Sequence, residues 1–259
     1  MKKGLILAAL AAFFLTGAMV PGTSAVAADL GIYIAPKFVY SYAVMDMKGS
    51  LDVNDPFGWS TSQSRSKDRH DDAFGGALAI GYNFNTRFGV PVRAELEYAI
   101  HSEIEGKVSG SHQDATYGET FFVSAKQRLD VQTLFLNAYY DFDTGTAFSP
   151  YVGGGIGLAF IEADAKMHMA YFSAVSEGHS RTTGTNYATN FAWNLGAGVG
   201  WRIIDPLTLD LGYRFTWLGD TKTNYVGQEG TVIALYYDAR VKTRDLYMHQ
   251  VMLGLRYEF

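Results

Sequence analysis

The sequence has no cysteine, only 6 prolines in 259 residues, and few charged side chains, which make up 18% of the chain. Without cysteine the chain can form neither a disulfide nor a zinc–thiolate centre, and it has no cysteine nucleophile. Beyond the first few dozen residues, no apolar run approaches the roughly 18 residues that a membrane-spanning helix requires. A net charge of -5 also has the wrong sign for nucleic-acid binding, so we expect no nucleic-acid partner.

The N-terminal segment has the pattern of a secretory signal peptide. A basic start is followed by an apolar stretch over Leu5–Val20 and by small residues through Ala28. Cleavage after Ala27 or after Ala28 would suit a signal peptidase, which prefers small residues. We therefore expect residues 1–28 to be removed and residues 29–259 to form a single domain outside the cytoplasm.

The mature chain is dominated by alternation of apolar and polar residues, which predicts β-strands with two different faces. The alternation predicts eight strands, over residues 31–45, 74–84, 91–104, 128–142, 149–162, 187–202, 207–218 and 245–259. Most are long enough for the 9 to 11 tilted residues that cross a bilayer. Long and short connections alternate, with the long ones at 46–73, 105–127, 163–186 and 219–244. This asymmetry is typical of outer-membrane barrels, which have short periplasmic turns and long external loops.

The composition of the polar face indicates which side of each strand points outward. A soluble barrel would show the same alternation with a wet outer surface, but here the polar face carries glycine runs at 153–157 and 196–200. Glycine within a strand usually marks close approach of a neighbour, as in a crowded lumen. The sequence therefore predicts an all-β fold, an eight-stranded antiparallel transmembrane up-and-down β-barrel with four long external loops and short periplasmic turns.

The predicted inward face carries equal numbers of acidic and basic groups. An eight-stranded barrel is just wide enough for side chains to fill it, and buried charges persist when they are paired. We expect an ion-pair network that plugs the lumen, formed by Lys37, Arg93, Arg202, Arg214, Arg256, Glu95, Glu97, Asp141, Asp210 and Glu258.

Several strand sequences resemble the opacity-type (Opa-like) outer-membrane proteins of Gram-negative bacteria. The similar segments are Gly81–Phe84 with Val92–Tyr98, Ser149–Gly157, Asn194–Trp201 and Leu209–Phe215. The resemblance implies a barrel in the bacterial cell outer membrane, surrounded by lipid, with variable loops that serve adhesion or immune exposure. The closing residues, with Tyr257 and Phe259, resemble the C-terminal signal read by the barrel-assembly machinery.

The long connections contain aromatic side chains among polar ones, and exposed aromatics often anchor protein contacts. The candidates for contact with host or surface ligands are Trp59, Phe121, Phe122, Tyr171, Phe172, Tyr236 and Tyr237. Our leading hypothesis is a monomeric surface protein that mediates adhesion or supports the envelope. The alternatives are a small porin for solutes and a receptor for haem or iron compounds.

Three clusters invite a chemical interpretation, and each has a simpler one. His101, Ser102 and Glu103 suggest a nucleophile and base, but neighbours on a strand face opposite ways. The charged run 66–72 is more typical of a solvated loop tip than of a cation site. Met167–Met169 with His179 could touch metal or haem, although such a pattern usually marks mobile surface. We therefore predict no catalysis, no metal and no cofactor.

Overall fold

A computed structural model describes residues 30–55, 58–113, 120–172, 177–229 and 235–259. The predicted signal peptide, residues 1–28, lies outside this part of the chain. None of the helices in the described ranges is long and apolar enough to cross a membrane.

The described chain is almost entirely β-strand. The elements are β1 (Ile32–Asp55), β2 (Gly58–Asn83), α1 (Phe84–Phe88), β3 (Val92–His101), β4 (Ile104–Gln113), β5 (Thr120–Asp141), β6 (Phe148–Phe172), β7 (Glu177–Ile204), β8 (Leu207–Glu229) and β9 (Leu235–Glu258). All pairings between these strands are antiparallel, each strand except β3 and β4 pairs with its neighbours in sequence, and β9 returns to pair with β1.

The nine strand segments form eight strands of a closed barrel. β3 and β4 are separated only by Ser102 and Glu103, and both pair with β5, so together they make one interrupted strand. β2 pairs with β3 on the other side, which completes the ring of hydrogen bonds. The predicted eight-stranded antiparallel up-and-down barrel is confirmed.

Three short connections lie at the end of the barrel that holds the start of β1 and the C-terminal residues, which we take as the periplasmic end. The first contains α1, which ends at Gly89 with φ 66°, a left-handed conformation that favours glycine. In the second, the Asp143 side chain accepts a hydrogen bond from the Gly145 amide at 2.9 Å. The third joins β7 to β8 through Asp205 and Pro206.

The strands extend much farther than the alternation predicts. β6 has 25 residues and β7 has 28, against the 9 to 11 or so that cross a bilayer. Most of the residues assigned by sequence to the four long connections therefore continue the strands, and the barrel wall rises well beyond the membrane on the external side.

An apolar belt surrounds the half of the barrel nearer the periplasmic end. Its outward side chains are large and exposed, with Ile80 at 59%, Leu136 at 59% and Leu195 at 60%. We call this part the membrane half, and its belt comprises Phe38, Tyr42, Phe74, Leu78, Ile80, Leu96, Tyr98, Leu134, Leu136, Tyr140, Val152, Ile156, Leu158, Phe160, Phe191, Leu195, Trp201, Leu211, Tyr213, Val251, Leu253 and Tyr257. This belt is the predicted lipid-facing surface.

Beyond the belt the polarity of the two faces is reversed. The alternation on β6 continues without a break, but its outward positions become Glu162, Asp164 and Lys166, while its inward positions become Ile161 and Met167. We call this part the external half. Its interior is filled by an apolar cluster whose buried members include Met45, Met47, Ile104, Leu129, Val131, Ile161, Met167, Leu218, Leu246 and Met248.

Backbone irregularities mark the boundary between the halves. Gly219 has φ 81° and Asp245 has φ 49°, and the register between β8 and β9 shifts on both sides of Gly219. The break between β3 and β4 lies at a similar position in the third strand. Such bulges increase local twist and change which face a side chain occupies.

Candidate functional site

An ionic cluster fills the lumen of the membrane half. Lys37 Nζ lies 2.6 Å from Glu95 Oε2 and 2.7 Å from Glu97 Oε2. Glu97 also contacts Arg214, with 2.5 Å between Oε1 and Nη1. These side chains come from β1, β3 and β8, so the cluster connects opposite walls of the barrel. All four are almost completely buried, which suits charges that neutralise one another.

Two further ion pairs extend the cluster toward the periplasmic end. Arg93 Nε lies 2.6 Å from Asp141 Oδ2, and its guanidinium sits about 5 Å from the ring centres of Tyr139 and Tyr151. Arg256 lies 3.5 Å from Asp210. Four cations and four carboxylates are thus assembled in pairs, which favours a lumen with no net side-chain charge.

Glycines in the lumen make room for these large groups. A Cβ on Gly155 would overlap the side-chain amide of Asn137, which accepts a hydrogen bond from Asn194 at 2.9 Å. A Cβ on Gly198 would overlap the hydroxyl of Tyr151. The glycine runs are therefore packing positions, as the sequence predicts.

A neutral hydrogen-bond network lies above the ions, just below the apolar cluster of the external half. Gln250 accepts from Arg214 Nε at 2.9 Å and donates to Ser41 at 3.0 Å. It also contacts His101 Nε2 at 3.0 Å and accepts from Thr216 at 2.8 Å. The sequence analysis did not select Gln250, although its inward position in the last strand was a usable signal.

The packed lumen leaves very little free space at the level of the ions. A void of about 10 Å³ lies there, enough for about one water molecule. It is lined by Lys37, Arg93, Glu95, Tyr139, Tyr151, Asp210, Met252 and Gly254. Tyr33 further crosslinks the packing, since its hydroxyl donates to Glu95 at 2.9 Å.

Two residues assigned to the network lie elsewhere. The Arg202 side chain is 62% exposed and lies 3.9 Å from Asp205 at the turn after β7. Arg202 keeps the regular register opposite Thr208, but it lies near the end of β7, where an inward position at the rim is open to solvent. The Glu258 carboxylate lies at the periplasmic rim, where it accepts hydrogen bonds from Asn83 and Thr86.

The aromatic candidates for surface contact are described only in part. Phe122 and Phe172 lie on the external halves of β5 and β6, both exposed, with ring centres 5.9 Å apart in an edge-on arrangement. The backbones of Trp59, Phe121, Tyr171, Tyr236 and Tyr237 lie in strands, but their side chains lie outside the described residues.

The candidate catalytic cluster is separated by strand geometry. His101 is buried in the lumen, with Nδ1 3.3 Å from the carbonyl oxygen of Val131. The Ser102 hydroxyl instead accepts from the Phe74 amide at 3.1 Å. The two side chains therefore point apart and do not form a nucleophile–base pair.

The candidate metal or haem residues are also separated. Met167 is buried inside, whereas His168 is exposed outside, because they are neighbours on one strand; the Met169 side chain is not described. In the charged run 66–72, Asp71 accepts from the Glu105 amide at 2.7 Å. The side chains of residues 66–69 lie outside the described part. Within the described ranges, no group of three or more His, Asp or Glu side chains is arranged to hold a metal ion.

The start of β1 meets the C-terminal residues at the periplasmic rim. The Phe259 amide donates to the carbonyl oxygen of Ile32 at 2.8 Å, and the rings of Tyr257 and Phe259 contact each other edge-on at 5.0 Å. These C-terminal residues therefore form part of the seam between the last strand and the first.

Comparisons with known proteins agree with this architecture. A family model described as outer membrane protein beta-barrel domain matches residues 7–259. Outer membrane protein PagN of Salmonella typhimurium is 30% identical over 247 residues, which cover 93% of this chain and 95% of that protein. A candidate adhesin of Rickettsia typhi is 30% identical over 185 residues, covering 70% of this chain and 72% of that protein. The crystal structure of OprG from Pseudomonas aeruginosa aligns with a TM-score of 0.42 and 17% identity, covering 89% of this chain and 97% of that one.

The chain belongs to the outer membrane protein beta-barrel domain family, and it is an outer-membrane protein. The narrower opacity-type assignment is not established by these matches. The belt of the membrane half is thus the surface that faces lipid, and the external half projects from the cell.

Proposed function

We propose that this protein is an adhesion or invasion factor of the cell surface, of the opacity type, whose external half acts as a rigid stalk for its hairpin tips. The observation that carries the proposal is the continuation of paired strands beyond the belt around a closed apolar interior. From Phe160 to Phe172, β6 rises about 30 Å at a typical strand tilt.

The similarity to PagN and to the rickettsial protein described as a candidate adhesin supports this proposal. Phe122 and Phe172 offer an aromatic contact near the top of the stalk, where a partner from outside the cell arrives first. Aromatic side chains are common energetic centres of protein interfaces.

Attachment of bacteria to cultured epithelial cells tests the proposal. Cells that produce F122S/F172S should attach several-fold less than cells that produce the wild type. The control F88S/F142S removes two exposed aromatics at the periplasmic end and should attach normally. Normal attachment by F122S/F172S, together with normal attachment by cells lacking the protein, would refute an adhesive role and favour a role in envelope integrity.

We also propose that the lumen is plugged rather than open to solutes. Ion pairs between Lys37, Glu97 and Arg214 join opposite walls, and the void beside them holds about 10 Å³. Planar-bilayer recordings of the wild type should show no large, stable openings. Large, stable openings would support the porin alternative instead.

Three further expectations complete the proposal. Residues 1–28 act as a cleaved signal peptide, Tyr257 and Phe259 are read by the barrel-assembly machinery, and the barrel works as a monomer. Replacing Phe259 with Ser should lower the amount of folded barrel in outer-membrane fractions, because the aromatic terminus would be lost. An unchanged amount would contradict the assembly role.

A further inference from the structure

A row of lysines crosses three neighbouring strands of the external half. Lys107 on β4 is the direct partner of Lys126 on β5, and Lys126 is the direct partner of Lys166 on β6. Like charges directly opposite each other on a sheet are destabilising. Three in succession therefore require a compensating negative charge.

A second basic row crosses the other side of the barrel. Lys48 on β1 pairs with Arg65 on β2 and with Lys242 on β9, and Lys242 pairs with Lys222 on β8. The side chains of Arg65 and Lys222 lie outside the described residues, so these two residues are placed in the row by their backbone register alone. We call the two rows together the basic collar, and it occupies seven of the eight barrel strands.

Both rows lie in one band beyond the lipid belt. Lys48 and Lys166 lie six positions from the last belt residues of their strands, Lys126 lies eight positions from Leu134, and Lys107 and Lys242 lie nine positions from Tyr98 and Val251. At a typical rise and tilt, six to nine residues place the collar about 15 to 23 Å above the hydrocarbon edge. The collar thus surrounds the barrel wall well below the hairpin tips.

The protein itself neutralises only part of the collar. Lys126 lies 2.6 Å from Glu105, and Lys242 lies 3.3 Å from Asp220. Among the described side chains, no carboxylate lies within 4.0 Å of Lys48, Lys107 or Lys166. These three lysines therefore offer positive charge to an anion from outside the described chain.

Acidic groups lie closer to the membrane than the collar. Asp130 pairs in register with Glu162, and Asp164 lies one outward position farther along β6. Glu162 accepts a hydrogen bond from Tyr187 at 3.3 Å, and Asp164 accepts one from Thr185 at 2.5 Å. These carboxylates make the wall between the collar and the belt less attractive to anions than the collar itself.

We propose that the basic collar binds the phosphate groups of the core saccharide of lipopolysaccharide, the glycolipid of the outer leaflet. A partner that surrounds the barrel in the membrane plane contacts many strands within one band of heights, whereas a partner from outside the cell meets the hairpin tips first. Lysines near a membrane surface each add a modest attraction for anionic lipid, so a collar of them gives affinity by summation.

Binding of purified lipopolysaccharide to the full-length protein in neutral detergent tests the proposal. The variant K107S/K166S should bind phosphorylated rough lipopolysaccharide at least about tenfold more weakly than the wild type. The conservative variant K107R/K166R should bind as the wild type does. The control R87S/R202S removes the same charge from exposed side chains at the periplasmic end and should leave binding unchanged.

Two additional measurements test whether the collar binds phosphate groups through charge. The same lipopolysaccharide after dephosphorylation should bind the wild type as weakly as the intact form binds K107S/K166S, and added salt should remove the difference between the proteins. Heat-modified electrophoretic migration verifies that every variant is folded. Equal binding by wild type and K107S/K166S, equal binding of the dephosphorylated form, or binding of a sulfated oligosaccharide in place of lipopolysaccharide would overturn the proposal.

Discussion

The two halves of this barrel solve the same packing problem with opposite arrangements. In the membrane half, apolar side chains face outward and an ionic cluster fills the interior, whereas the external half has a polar wall around an apolar core. The strands and their alternation run through both halves, so the backbone is common to the two arrangements. The solvent outside, lipid in one half and water in the other, decides which set of side chains faces inward.

The membrane half should depend most strongly on its buried charges. Replacing Glu97 with Ala leaves Lys37 and Arg214 without their shared carboxylate, and breaking such a buried pair costs about 3 to 5 kcal/mol. Urea unfolding of the barrel in lipid vesicles, followed by tryptophan fluorescence, measures this change. The control Glu162→Ala, on the polar wall, should remain within about 0.5 kcal/mol of the wild type.

The external half should depend on apolar packing instead. Leu129 is completely buried in its core, so Leu129→Ala should lower the free energy of unfolding by about 2 to 5 kcal/mol through lost contacts and a cavity. The same urea titration applies, with Ser124→Ala as the exposed control on the same strand. A loss below 0.5 kcal/mol or so would mean that the external half is not cooperatively packed.

The outward face of β5 offers a direct test of the polarity reversal. Leu136→Lys places a charge in lipid and should cost about 2 to 4 kcal/mol, depending on depth. Ser124→Lys places the same charge on the same face of the external half, where water solvates it, and should cost almost nothing. Equal costs for the two variants would show that both positions meet the same solvent.

The smallest expected effect concerns a carboxylate on the external wall. A hydrogen bond from Lys126, together with the charges of Lys126 and Arg128, lowers the pKa of Glu105. A lowered pKa in the folded state adds stability above the unfolded carboxyl pKa of about 4.3, and this contribution is lost as the pH falls through the folded pKa.

Because Glu105 is partly exposed, its contribution should stay below about 1 kcal/mol. Comparing Glu105→Gln with the wild type between pH 7 and pH 3 isolates it. The difference in unfolding free energy between the two proteins should shrink on acidification. A constant difference across this range would assign the effect to packing rather than to charge.

The sequence predicts the membrane half well because large apolar side chains alternate there with charged or small ones. Lys37, Arg93, Glu95, Glu97, Asp141, Asp210, Arg214 and Arg256, all selected by parity and charge, contact one another in pairs within the lumen. Parity did not predict the exposure of Arg202, which keeps its register opposite Thr208 but lies at the rim near the end of β7. Parity places Gln250 inward but does not predict its hydrogen bonds or those of Tyr33, because these bonds depend on neighbours that the barrel brings together.

The sequence predicts loops in the external half because the continuous apolar outer face of the strands ends there. On β6 the alternation persists past Phe160, but the apolar positions move to the other parity and become small, as at Ala163 and Ala165. In a single sequence, a strand whose apolar residues are small and occupy the other parity resembles a polar connection. Alternation with apolar residues at either the outward or the inward positions predicts these longer strands.

The pairing of β1 with β9 has a consequence for how the chain acquires its shape. Every other neighbouring pair is a hairpin or nearly so, but this seam joins Tyr33 to Glu258, at opposite ends of the described chain. Contacts so distant in sequence form slowly, because the entropy of a very long chain segment is lost before they are gained. The sheet can therefore form one hairpin at a time, but the barrel closes only when the last strand, β9, pairs with β1.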